Sequence, residues 1–288
     1  MPFISLLTDF GLQDPYVGIM KGVIHTLSPQ AQLIDLSHGI PPQDVAAARF
    51  ALMTAYPYLP SGTIHLAVVD PGVGSSRRAV AIQTETGFLV GPDNGLFSGV
   101  LAQTPALAAV ELNRPRYWRT PSPSRTFHGR DIFAPVAAHL ANGIPLAELG
   151  DPLDVAELTR WEWPPPQMET NGCRGLVQAI DHFGNGITNL PGQWVEGRSW
   201  SAWIKGIPVR SVATFAEGEV GEVLALVGSS GWVEIVQNRG NASRALDFKV
   251  GDEVRVQWIL TPSPSPEKRG ILGRLAFHRH GFRRSSGV

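Results

Sequence analysis

VVDPGVGSSRR, residues 68–78, decides how the rest of the chain is read. The apolar run from Ile64 to Val69 is short, continuous and followed by turn residues, the pattern of a strand buried on both faces in a parallel sheet. Asp70 then stands at the carboxyl end of that strand, the rim at which open α/β sheets bind ligands. Gly72 and Gly74 allow backbone angles closed to other residues, and Arg77 and Arg78 are cations able to pair with the carboxylate. The same letters also describe an ordinary Asp-Pro-Gly turn with a surface ion pair, so the stretch alone leaves both readings open.

Upstream, Phe3 to Leu7 reads as a first buried strand that delivers Asp9 to the same rim as Asp70. Asp14 is the expected N-cap of a helix with Pro15 at its first position, carrying Val17, Met20, Ile24 and Leu27 at helical spacing. A second strand, Ala31 to Leu36, ends in Ser37-His38-Gly39, and Gln43 to Tyr56 reads as a second helix. Strand, helix, strand, helix, strand is the order of a parallel sheet with right-handed crossovers. Downstream, 79–83 and 87–90 form a hairpin, and 106–112 suggests a further strand. Thr126-Phe127-His128-Gly129-Arg130-Asp131 leads into an amphipathic helix, placing His128 near a helix N-terminus, where an anion or electron-rich atom is favoured.

Three successive prolines in WEWPPPQMETN, residues 161–171, end this pattern, and six short apolar runs with turn signals follow. The expected fold is an α/β amino-terminal domain at 1–163, with a largely parallel sheet and flanking helices. A Pro-rich linker at 164–171 joins it to a smaller all-β, barrel-like domain at 172–262. A flexible basic tail is expected at 263–288.

Composition narrows the chemistry. The 288 residues are enough to bury roughly 70 to 75 percent of the unfolded surface. With 24 basic and 25 acidic residues, the net charge of -1 argues against a nucleic-acid or membrane partner. The single cysteine, Cys173, excludes an internal disulfide or a Cys-based zinc cluster and suits a reducing cytoplasm. The start MPFISLLTDF lacks a secretory pattern, and no window reaches the ~18 apolar residues of a membrane span, so a soluble cytoplasmic protein is expected.

The groups that could carry chemistry are Asp9, Asp14, Asp70 with an arginine, and His128 in the first domain. The second offers Asp181-His182-Phe183-Gly184-Asn185 with Thr188-Asn189, Ser229-Ser230-Gly231-Trp232 and Asn238-Arg239-Gly240-Asn241-Ala242. Each has a structural alternative as a cap, turn or loop. Asp9, Asp14, His38, Asp70, His128 and Asp131 could also be read as a metal-ligand set, although no HExxH signature supports it. Gly72-Val73-Gly74 lacks the glycine pattern of a dinucleotide-dependent dehydrogenase. A non-catalytic nucleoside-binding protein is the rival outside enzymes.

Taken in order, TDFGLQDPYVGIMKG (8–22), IDLSHGIPPQDV (34–45), VVDPGVGSSRR (68–78), GPDNGL (91–96), TFHGRDIFAP (126–135), DHFGNGITNL (181–190) and NRGNA (238–242) resemble one family. It is the S-adenosylmethionine (SAM) hydroxide adenosyltransferases, related to the SAM-dependent fluorinase and chlorinase. The resemblance implies hydrolysis of SAM to adenosine and methionine, with no cofactor, in a homotrimer whose sites lie between subunits. It marks Asp70, Arg77 and His128 as the water-handling triad, spacing favouring Arg77 over Arg78. It also implies that Asp9 accepts from the ribose hydroxyls and that Asp14 and Tyr16 lie near the methionine end. Phe127 is a further substrate contact; Asp181, Phe183 and Asn185 supply amino-acid contacts and stacking, and Ser230, Asn241 and Ala242 face the amino acid or adenine. The halogenases lack the Asp-Arg-His set, and the fluorinase carries a tyrosine where Asp70 stands. Val73 and Gly129 replace its hydroxyl residues near the halide. Hydrolysis is therefore expected over halogenation, because a carboxylate repels a halide. Gln43 and Gly240 also depart from the fluorinase, which has an aromatic residue and an arginine there.

Overall fold

A computed structural model describes residues 1–161 and 163–259; the basic tail expected at 263–288 lies outside them. The chain divides into two units, with the break between Pro165 and Pro166.

The amino-terminal unit runs β1 (Phe3–Thr8), α1 (Tyr16–Leu27), β2 (Gln32–Ser37), α2 (Val45–Ala55), β3 (Thr63–Val68), β4 (Ala79–Thr84), β5 (Gly87–Pro92) and α3 (Ser98–Gln103). It continues with β6 (Ala108–Glu111), a π-helical turn at Gly129–Phe133, α4 (Ala134–Ala141) and β7 (Asp151–Leu153). The strands lie in the order β2-β1-β3-β5-β4-β6-β7. Pairing is parallel from β2 through β1 and β3 to β5, then antiparallel to β7. Every residue of β3 is buried, as a strand covered on both faces requires. Its side chains alternate: Ile64, Leu66 and Val68 pack with Met20 and Ile24 of α1 and Val136 of α4. Ala67 and Val69 pack with Leu52 of α2 and Val100 of α3 on the opposite side. The helices thus hold the sheet rigidly beneath the loops at its carboxyl rim.

Asp14 does not cap α1. The N-cap position belongs to Pro15, whose carbonyl accepts from the Ile19 amide at 2.8 Å, and no side chain bonds there. Asp44 does cap α2, its carboxylate accepting from the Ala47 amide at 2.9 Å, so that helix begins after Gln43.

The second unit is β8 (Gln167–Glu169), β9 (Gly172–Ile180), β10 (Gly186–Pro191), β11 (Trp200–Ile204), β12 (Ile207–Arg210), β13 (Val223–Val227), β14 (Trp232–Gln237), α5 (Ala242–Leu246) and β15 (Glu253–Trp258). The sheet order is β12-β11-β15-β9-β10-β14-β13, with β8 paired to β9. A bridge between Ser211 and Ala225 brings the two ends together, so the sheet curls into a nearly closed barrel around Val177, Leu190, Ile235 and Val254. Cys173 sits in this core, and burial, aided by Glu169, pushes its thiol up to about 11, which leaves it chemically inert.

Candidate active site

Beyond β3 the chain turns at once: the Val73 amide bonds to the Asp70 carbonyl and the Ser75 amide to the Gly72 carbonyl. This doubles the loop back so that Arg77 faces Asp70. The guanidinium grips the carboxylate with both edges, Nε to Oδ1 at 2.9 Å and Nη2 to Oδ2 at 2.5 Å. Both side chains are nearly buried, with 10% of Arg77 and 5% of Asp70 exposed, so the pair is poorly screened by solvent. Arg78 points elsewhere, to Asp93 at 2.7 Å and to Glu157, and ties the loop to the scaffold.

Gly74 lets the loop meet a second one. Its φ is +76°, and a Cβ there would stand 2.4 Å from the Arg125 carbonyl oxygen. That close approach carries His128 to Arg77, whose Nη2 lies 2.8 Å from Nδ1 of the imidazole. A guanidinium only donates, so Nδ1 accepts, and the neutral ring carries its proton on Nε2. Burial lowers the His128 pKa, and the positive charge of Arg77 lowers it further against the opposing pull of Asp70 and Asp131.

The helix expected after His128 opens with a π-helical turn, a local widening frequent at functional sites. Asp131, within that turn and fully buried, accepts from Arg119 at 2.5 Å, from Arg130 at 2.8 Å and from the Ser124 amide at 2.8 Å. Burial alone would raise its carboxyl, but the hydrogen bonds from Arg130, Ser124 and Arg119 more than offset this and hold it far below the usual range. Asp131 is thus the clamp for the 119–131 segment that presents His128. The Arg-Asp dipeptide after His128-Gly129 was its only trace in the sequence.

Asp70, His128, Asp9, Phe10, Tyr16, Gln43, Val73, Phe127 and Gly129 line one cavity of about 390 Å³. The rings of Phe10, Tyr16 and Phe127 meet edge to face, with centroids 5.2–6.0 Å apart, and form its apolar side. Asp9 Oδ2 accepts from the Gln43 amide at 2.7 Å, with Gln43 held at φ +66°. Asp14 is exposed and is not among the residues lining the cavity. Two of the six residues in the metal-ligand reading are committed elsewhere: Asp131 to arginines, and both nitrogens of His38 to Thr8 and Asp35. Among the described residues, no three His, Cys, Asp or Glu side chains form a group that could hold a metal ion.

In the β unit, Asp181 organises its own turn, accepting from the amides of Phe183 at 2.9 Å and Asn185 at 2.8 Å and from the Asn185 side chain at 2.9 Å. Asn241 caps α5 by accepting from the Arg244 amide and packs against Gly184, where a Cβ would lie 2.1 Å from its Cγ. Asp181, Phe183, Asn185, Asn241 and the buried Ala242 are therefore brought together, with Phe183 71% exposed. Ser230 is not among them. It sits in the exposed turn at the Pro191–Trp232 end of the β10–β14 ladder, whereas the Asp181 turn adjoins the Gly186–Ile235 end. A hollow of about 1030 Å³ elsewhere in this unit is lined by none of the residues assigned to substrate.

Residues 4–150 match the model of the SAM hydroxide adenosyltransferase N-terminal domain, and residues 175–255 that of the C-terminal domain. The chain belongs to the SAM hydroxide adenosyltransferase family. It is 44% identical over 269 residues to a protein of Thermus thermophilus named (R)-S-adenosyl-L-methionine hydrolase, covering 88% of this chain and 98% of the relative. A fluorinase of an Actinoplanes species is 26% identical over 290 residues, covering 88% and 97%. Among solved structures, an uncharacterized conserved protein from Thermotoga maritima is similar with a TM-score of 0.83 at 35% identity, covering 88% of this chain and 99% of its own. As a member of the SAM hydroxide adenosyltransferase family, the chain resembles the hydrolase more closely than the fluorinase.

Proposed function

We propose that the chain hydrolyses SAM, with water attacking the ribose C5′ and adenosine and L-methionine as products. The observation that carries this reading is Arg77 bonded at once to Asp70 and His128, both of which line a cavity sized for a nucleoside. Methionine leaves a sulfonium as a neutral thioether, so the step needs no acid. It needs a water held in line with the C–S bond and stripped of competing partners. Asp70 accepts one water hydrogen, and His128 donates Nε2–H to a water lone pair, which leaves the other lone pair for C5′. As the C5′–O bond forms and the C5′–S bond breaks, the water proton passes to Asp70 and then to solvent. Substrate cation and water become adenosine, methionine and a proton. His128 is thus a holder of the water, and Asp70 is the base.

Asp9 takes the ribose hydroxyls through the oxygen that Gln43 leaves free, Asp14 and Tyr16 lie toward methionine, and Phe127 supplies an apolar wall. Asp181, Phe183, Asn185, Asn241 and Ala242 contact the amino acid or adenine, and Ser230, at the other end of the β10–β14 ladder, is left out of this set. Leu12, Tyr16 and Phe183 are exposed hydrophobic side chains on segments assigned to substrate, which supports a homotrimer with sites between copies. The reading needs no cofactor and includes a cytoplasmic location, with which the lone Cys173 is consistent.

Chromatography of an incubation with SAM should show adenosine and methionine in equal amounts, unchanged by excess chloride or fluoride. A 5′-halogenated adenosine forming faster than adenosine would overturn hydrolysis in favour of halogenation.

A further inference from the structure

We infer that His38 is a positioning residue for the sugar-binding carboxylate Asp9, acting through Thr8 and Gly11 on either side of it. The inference rests on the reading of Asp9 as the ribose contact. His38 is 5% exposed, and its ring is engaged at both nitrogens: Nδ1 lies 2.9 Å from Thr8 Oγ1, and Nε2 lies 3.0 Å from Asp35 Oδ1. Asp35 in turn accepts from Lys21 Nζ at 2.6 Å. The His38 carbonyl accepts from the Gly11 amide at 2.8 Å. One residue therefore clips the Thr8–Gly11 loop from both ends, and Asp9 and Phe10 between them line the cavity.

The backbone is shaped for this. Pairing of β1 with β2 slips between Leu6 and Leu7, which face Asp35 and Ser37, so Leu36 is left as a bulge. Bulges re-aim side chains at sheet rims, and here the strand is bent so that His38 folds back over the end of β1. The protons are also accounted for. The Asp35 carboxylate only accepts, so Nε2–H donates to it; Nδ1 of the neutral ring then accepts the Thr8 hydroxyl hydrogen, and Thr8 Oγ1 takes the Phe10 amide at 3.3 Å. Burial alone would raise the Asp35 pKa, but hydrogen bonds from Lys21 and His38 more than offset it and keep it lowered. The constellation resembles a hydroxyl-imidazole-carboxylate nucleophile, but Thr8 is fully buried and has no route to a substrate, so its work is to hold the loop.

Side-chain isosteres separate the contacts. In His38→Asn the amide replaces Nδ1 and can still accept from Thr8; in His38→Gln it replaces Nε2 and reaches only Asp35. KM for SAM and the dissociation constant for adenosine should each rise about tenfold in His38→Ala and His38→Gln, with kcat falling less than KM rises. His38→Asn should recover most of the affinity. Asp35→Asn, at an exposed site, should give a smaller rise in the same direction. Thermal unfolding is followed in parallel. A lowered melting temperature with KM and adenosine affinity unaltered, or a kcat loss at constant KM, would overturn the inference, as would recovery by His38→Gln instead of His38→Asn. Asp9→Asn serves as reference. If it binds adenosine as tightly as the parent, the sugar contact and this inference both fall; if it loses affinity while His38→Ala does not, the inference alone falls.

Discussion

Arg77 holds both Asp70 and His128, spending Nε on the carboxylate and Nη2 on the carboxylate and the imidazole. That arrangement exists only while His128 is neutral, because a protonated ring would turn a second donor toward the guanidinium. Burial and the Arg77 charge lower the His128 pKa, so the acid limb of kcat/KM should have its midpoint below the ordinary histidine value of about 6.5. A pH profile whose acid limb has its midpoint above 6.5 would contradict this. Asp70→Asn should lose about 10²–10⁴-fold in kcat and His128→Ala about 10²-fold, with adenosine affinity changed far less. The sequence placed Asp70 and His128 at a rim but could not choose between adjacent arginines by physics; the partners Asp93 and Glu157 of Arg78 make the choice.

Elements whose side chains are sorted by burial were legible. β3 announces itself as an unbroken apolar run, and α1 by Val17, Met20 and Ile24 on one face. β8 and β12 were not, since Gln167–Glu169 is exposed throughout and Ile207–Arg210 contains Pro208 and one buried residue, so neither carries an alternating pattern. The π-helical turn was equally hidden, because its cause is tertiary: Asp131 is drawn inward to Arg119 and the Ser124 amide. Asp14-Pro15 has the letters of a cap and a first helical residue, but the helix starts one residue later and leaves the carboxylate exposed. Ser230 was assigned by the resemblance alongside Asn241 and Ala242, and sequence order does not reveal that it and the Asp181 turn flank opposite ends of one ladder.

For the molecule as a whole, two buried groups respond to pH with opposite sign, one in each unit. His65 of β3 is 2% exposed, bonded to Ser5 at 2.9 Å and beside the Tyr56 ring, and burial lowers its pKa to about 4. The unfolded chain then binds more protons between pH 4 and 6.5, so the stability is complete above 6.5 and is lost as pH falls toward 4. Glu234 of β14 is 8% exposed, and burial with the neighbouring Asp181 raises its pKa to about 7. Here the folded state holds the extra proton, so stability present below pH 4.5 is lost as pH rises to 7. Each effect amounts to about 3 kcal/mol at most. Urea unfolding at pH 5 and pH 8 should show Glu234→Gln gaining relative to the parent at pH 8, and His65→Asn losing less than the parent on acidification. Equal pH slopes in parent and variants would contradict both assignments. Over the whole molecule, the central claim is that solvent oxygen becomes the 5′-oxygen of the nucleoside. Mass spectrometry of the products of SAM turnover in ¹⁸O-water tests it most directly: the account predicts one ¹⁸O in adenosine and none in methionine, and label in methionine or unlabelled adenosine would contradict it.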